Sequence, residues 1–65
     1  MKIRYFTDTD TLYIVFYQKI PAETRNLDDN TLLDLYEDGQ LCSMIIEHAK
    51  ERVRIPEIDY QQVVA

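Results

Sequence analysis

The chain opens on a strict alternation. Lys2-Ile3-Arg4-Tyr5-Phe6 sets polar against apolar side chains at period two, the pattern of a half-buried β-strand. Thr7-Asp8-Thr9-Asp10 follows, four short oxygen-bearing side chains that bond nearby backbone and favour a turn. Thr11 to Tyr17 is almost wholly β-branched and aromatic, which predicts a second strand paired with the first as a hairpin. Within residues 18–22, Pro21 cannot donate to a sheet ladder and ends that strand. Glu23 to Leu27 reads as a polar strand at or near an edge, Asp28-Asp29-Asn30 as a turn, and Thr31 to Glu37 as a fourth strand. Asp38-Gly39 predicts a type I′ hairpin turn, with the only glycine where positive φ is needed, and Gln40 to Glu47 returns as a fifth strand. Near His48 the period changes, and Ala49-Lys50-Glu51-Arg52 are helix formers. Pro56 breaks that helix, so residues 54–65 read as a tail or as a short second helix from Glu57 to Val64.

The second strand shows no wet side. Leu12, Ile14 and Phe16 alternate with Tyr13, Val15 and Tyr17, and both sets are apolar or aromatic. The fifth strand repeats this, with Leu41 and Ile45 on one side and Cys42, Met44 and Ile46 on the other. A one-layer antiparallel sheet normally keeps one face polar, and one small helix covers a single face. The other face must be covered from outside or stand as an apolar patch. Length sharpens the point: 65 residues make one domain, residues 1–65. At about 25 cal/mol per Å² of apolar burial against about 1.5 kcal/mol per ordered residue, such a chain comes out near zero alone. The expectation is a twofold homodimer joined through Tyr13, Val15, Tyr17, Met44 and Ile46, the tyrosines giving large contact at low entropic cost.

Charge removes one class of partner. Seven basic against 12 acidic side chains, net −5, argue against nucleic acid, whose phosphates demand a Lys/Arg surface. One cysteine cannot form an internal disulfide, in keeping with a reducing compartment. The longest apolar run, Leu12 to Tyr17, is far below the roughly 20 residues of a spanning helix. Met1-Lys2-Ile3-Arg4 leads into the alternation rather than into an apolar leader segment. A cytoplasmic protein with no membrane partner is expected.

Chemistry is sparse. There is no glycine-rich phosphate loop, no Ser-His-Asp set and no Cys/His metal spacing, so no cofactor is expected and an enzyme is disfavoured. His48 stands between Glu47 and Glu51 at a strand-to-helix junction and reads as a surface histidine, since a general base needs a partner and a pocket. Cys42 has no neighbouring cation to activate its thiol and reads as a buried hydrophobe. Asp8 and Asp10 invite a calcium reading, but a twelve-residue calcium loop needs Gly at its sixth and Glu at its twelfth position. Counted from Asp8, those positions hold Tyr13 and Lys19. Lys50, Arg52 and Arg54 read as a solvated helix face. Asp34 is the odd residue, interrupting Leu32-Leu33-Asp34-Leu35-Tyr36. It is solvated at the sheet margin, paired with Arg4 or Arg25, or sets the register of an interface.

The order of pieces resembles a known family. Met1 to Tyr5, Asp10-Thr11-Leu12-Tyr13-Ile14, Glu23-Thr24-Arg25, Leu33-Asp34, Glu37-Asp38-Gly39 with Leu41, then Ile46 and Ala49, resemble the DUF2283 family of small bacterial and archaeal proteins over about residues 1 to 53. The resemblance implies a compact β-meander with a C-terminal helix, and it brings no established catalytic or binding residues. Members stand beside small toxin-like proteins in some genomes, which implies an antitoxin-like role as one reading. Phe6, Asn30, Ser43 and Ile45 depart from the pattern, and Ile45 makes the fifth strand more apolar.

The sequence therefore predicts an α+β fold, an antiparallel β-meander of four to five strands with a C-terminal helix packed on one face. Its first functional expectation is a non-enzymatic, homodimeric interaction protein whose acidic surface suits a basic protein partner. The alternative is a ligand-binding or catalytic module with a site across a dimer, built from Asp34, Arg25, Tyr36 and His48.

Overall fold

A computed structural model describes residues 1–55 and 57–64; the predicted break at Pro56 lies outside the described residues. Five antiparallel strands form one sheet: β1 (Lys2–Phe6), β2 (Thr11–Val15), β3 (Glu23–Asp28), β4 (Thr31–Leu35) and β5 (Leu41–Ile46). One helical turn, α1 (Ala49–Arg52), follows. The α+β, meander-like architecture is the predicted one, and the strand order is β1-β2-β5-β4-β3. A β1–β2 hairpin and a β3-β4-β5 run are joined by pairing of β2 with β5. Residues 16–22 therefore cross from the second to the fifth position of the sheet. That span is about 14 Å at the usual strand spacing, well within reach of seven residues.

Register assigns every strand residue to a face, because directly paired residues point the same way. Lys2–Val15–Ser43–Asp34–Thr24 and Arg4–Tyr13–Ile45–Leu32–Asn26 form cross-strand rows on one side, here face A. Ile3–Ile14–Met44–Leu33–Arg25 and Tyr5–Leu12–Ile46–Thr31–Asp28 form rows on the other, face B. Bulges break the pattern where strands end. Leu27 is the extra residue on β3 and stands 64% exposed. Phe16 and Tyr17 both donate their N–H to the Cys42 carbonyl, which ends β2 two residues earlier than the residue pattern predicts.

The β4–β5 connection differs from its prediction. Tyr36 N–H donates to the Gln40 carbonyl at 2.8 Å, and Gly39 N–H donates to the Tyr36 carbonyl at 2.9 Å. The loop thus has three residues, Glu37 to Gly39. Gly39 alone takes positive φ, +87°, whereas a type I′ turn needs it at both central positions. Gln40 N–H bonds the Asp38 carboxylate at 2.9 Å, a local alternative that lets Asp38 remain on the ordinary side of φ space.

The helix is shorter than a covering helix needs to be. His48 enters it with φ +54°, and Val53 leaves it extended at φ −138°. Val53, Ile55 and Ile58 instead lie beside Ile3, Tyr5 and Leu12 and line that margin of face B. Residues 57–64 carry no helix, which corrects the predicted second helix from Glu57 to Val64. Val63 and Val64 stand 82% and 97% exposed, and Ile58 60%, too little burial to offset the cost of nucleating a turn. Among the described residues no helix is long and apolar enough to cross a membrane.

Candidate functional site

One end of the sheet is tied together by Asp10. Its backbone sits at φ +53°, closing the β1–β2 turn in the left-handed region that Asp tolerates better than most residues. The Asp10 carbonyl accepts Ala49 N–H at 3.0 Å. Its carboxylate accepts the Tyr5 hydroxyl at 2.6 Å and Lys50 N–H at 3.1 Å. Asp10 therefore serves as the N-cap of α1 from 40 residues away, while His48 makes no side-chain cap bond. The Tyr5 hydroxyl holds the Asp10 carboxyl below its ordinary range, helped by Lys50. The same bond pushes the Tyr5 phenol up to about 12. On the other flank, Arg52 donates to the Asn30 carbonyl at 2.8 Å and to Thr31 Oγ1 at 2.6 Å, and faces Asp28 at 3.7 Å. The Asn30 N–H keeps the Asp28 carboxyl low, with Thr31 and Arg52 adding to it.

Face B is the apolar face. Ile14, Met44 and Leu33 run side by side across its centre, with the Leu35–Leu41 pair beside them. All five are half-buried. Among the described residues only Leu12, Cys42 and Ala49 are apolar and buried, and none of the large side chains is fully enclosed. One layer of sheet cannot enclose its own face, and Val53, Ile55 and Ile58 reach only the β1–β2 margin.

Face A is of mixed chemistry. Its centre holds Tyr13, Ile45 and Leu32, but Lys2, Arg4 and Asp34 stand in the same two rows. The residues crossing from β2 to β3 fold over one end of this face and enclose a concavity of about 160 Å³, open to solvent. Lys2, Arg4 and Lys19 line it with Tyr13, Tyr17 and Asp34. Lys19 Nζ lies 4.2 Å from the Tyr36 ring centroid and 4.9 Å from that of Tyr17, a cation held between two aromatic faces. Asp34 accepts the Thr24 hydroxyl at 2.7 Å and the Ser43 hydroxyl at 2.8 Å, one on each carboxylate oxygen.

The structure redistributes the residues singled out from sequence. Of the expected interface set, Tyr13 and Val15 lie on face A with Tyr17 at its end, and Met44 and Ile46 lie on face B. Ile45, not Met44 or Ile46, is the β5 residue paired with Tyr13. Of the expected polar set, Asp34 lies on face A, and Tyr36 lies near it through Lys19. Arg25 pairs with Leu33 on face B and bonds Glu23 at 3.0 Å. His48 is exposed beside Asp10 at the opposite end of the sheet. Asp34 thus takes hydroxyl partners rather than Arg4 or Arg25, because register sets Thr24 and Ser43 directly across from it. Cys42 is buried, as expected. Lys2 and Arg4 were legible as a same-face pair at i, i+2, but Lys19 joins them only through the crossover. No group of three or more His, Cys, Asp or Glu among the described residues could hold a metal ion.

Comparison with known proteins reaches the level of a family. No curated protein and no solved structure matches the chain. The family model described as "Protein of unknown function (DUF2283)" matches residues 2–50, from the first strand into the helix. That span is three quarters of the chain and includes all five strands, and the protein therefore belongs to the DUF2283 family.

Proposed function

We propose that this protein is a non-enzymatic interaction module that works as a homodimer, with face B buried between two copies. The observation that carries this is the contiguous run of half-buried Ile14, Met44, Leu33, Leu35 and Leu41. At about 25 cal/mol per Å², covering such a run is the largest favourable term still open to a single-layer sheet of this size. Face A would serve this less well, since burying it would strip water from Lys2, Arg4 and Asp34, the last on an inner strand, whereas the charges of face B, Arg25 and Asp28, stand only on edge strand β3. Edge-to-edge pairing is also disfavoured: β3 is exposed along its whole length, polar and bulged, and β1 carries Lys2 and Arg4. A second copy is the natural occupant, because a twofold interface needs only a patch complementary to itself.

The acidic balance expected to suit a basic partner has candidates outside face B. Asp8, Asp29 and Glu51 stand exposed at the helix end of the sheet, where a basic protein could dock without competing with the dimer. An antitoxin-like role would use that end.

Sedimentation equilibrium of face variants tests the dimer. Met44→Lys and Leu33→Lys should each shift the mass toward 7.8 kDa, while Phe6→Lys on the opposite face should leave it at twice that value. Dissociation by the Phe6 variant alone would place the interface on face A and overturn the assignment.

A further inference from the structure

We propose that the concavity on face A is a binding site for a small phosphate monoester. The protein carries seven basic side chains against 12 acidic ones, yet three of the seven, Lys2, Arg4 and Lys19, line this one hollow. None of the three is in an ion pair among the described residues, where Arg25, Arg52 and Arg54 all are. Lys2 and Arg4 project from the same face of β1 two residues apart, about 7 Å, so both reach one ligand. Lys19 comes from the crossover on the other side, steadied by Tyr36 and Tyr17. Aromatic faces hold an ammonium without supplying an oxygen acceptor, so its N–H groups remain available.

Asp34 in the lining of the hollow keeps its negative charge, but the three cations outnumber it. Both of its oxygens accept hydroxyls, from Thr24 and Ser43. Three cations and one carboxylate leave a local charge near +2, which matches a phosphate dianion better than a carboxylate. The Tyr13 and Tyr17 rings give an apolar wall for an organic group on the ester, and 160 Å³ suits a small one. The site stands on the face away from the proposed dimer interface and does not depend on that reading.

The test is an NMR titration of the full chain with phenyl phosphate, inorganic phosphate and benzyl alcohol. Phenyl phosphate should give saturable shifts confined to the amides around Lys2, Arg4, Tyr13 and Lys19, with a Kd at or below about 1 mM. Inorganic phosphate should shift the same amides more weakly, and benzyl alcohol should leave them unmoved. Lys19→Gln lies outside the strands and leaves the fold intact; it and Arg4→Gln should each weaken phenyl phosphate about tenfold. Linear shifts without saturation, an equal response to benzyl alcohol, or unchanged affinity in both variants would overturn the proposal. The basic residues of β1 would then serve only to protect a sheet edge.

Discussion

Asp10 joins three parts of the chain with one residue, and it does so in its ionised form. Its carboxyl is held below the ordinary 3.8 by the Tyr5 hydroxyl, so its contribution to stability is present above about pH 4 and is lost as pH falls through the lowered value. Denaturant midpoints measured across acid pH should fall in the wild type, and Asp10→Asn should lessen that fall, Asp28 supplying part of the remainder. The phenol behaves in the opposite sense. Tyr5 is raised to about 12, so the neutral hydroxyl's contribution is complete below about pH 10 and disappears as pH rises toward 12. Tyr5→Phe should remove that alkaline loss, and in the wild type one of the tyrosines should ionise last when phenolate absorbance is followed. Asp34 presents a different case, a carboxylate bonded to two hydroxyls, one of them on buried Ser43. Asp34→Ala should cost about 1 kcal/mol in chemical denaturation, because the Thr24 and Ser43 hydroxyls both lose their acceptor. The sequence marked Asp34 as anomalous but offered arginines as partners, since hydroxyl neighbours two strands apart are set by register and not by composition. Asp10 was legible only as a turn residue; its contacts lie 40 residues away.

Strands were the most legible elements, because a two-residue period survives in any register. All five appear where the alternation and turn chemistry place them, with β2, β4 and β5 trimmed at their ends. Faces were less legible. A strand's own alternation separates Ile45 from Met44, but which of them meets Tyr13 depends on how β2 and β5 align, and a shift of one residue reverses it. The crossover that makes β2 and β5 neighbours had no local signal at all. Turn type was legible in part: Gly39 was identified as the positive-φ residue, and the Asp38 side chain then selected a three-residue loop over a two-residue one. Gly39→Ala should cost about 1 kcal/mol in denaturant unfolding, wholly from backbone strain at φ +87°, since a Cβ there meets nothing within 4 Å. The helix illustrates the opposite balance. Four residues cannot sustain themselves, and α1 persists through Asp10 at one end and Arg52 on the Asn30–Thr31 turn at the other.

The whole molecule is a thin object, 36 × 32 × 18 Å, with two faces and too few residues to enclose either. Its faces have diverged in chemistry. Face B concentrates large apolar side chains and confines its charges, Arg25 and Asp28, to edge strand β3, whereas face A carries charges on β1 and β4 and the hollow under the crossover. That division was not visible in the sequence, where every side of β2 and β5 reads as apolar. It supports two separate uses, self-association through one face and ligand recognition through the other. The expectation of an outside partner, by contrast, comes from length and apolar content alone. Light scattering of the untagged protein over a hundredfold concentration range puts this most directly to the test. A mass of twice 7.8 kDa that persists on dilution to the micromolar range is the expected result. A well-folded species that stays at 7.8 kDa throughout would contradict it, and would show that a half-covered apolar face is stable in water without a second copy.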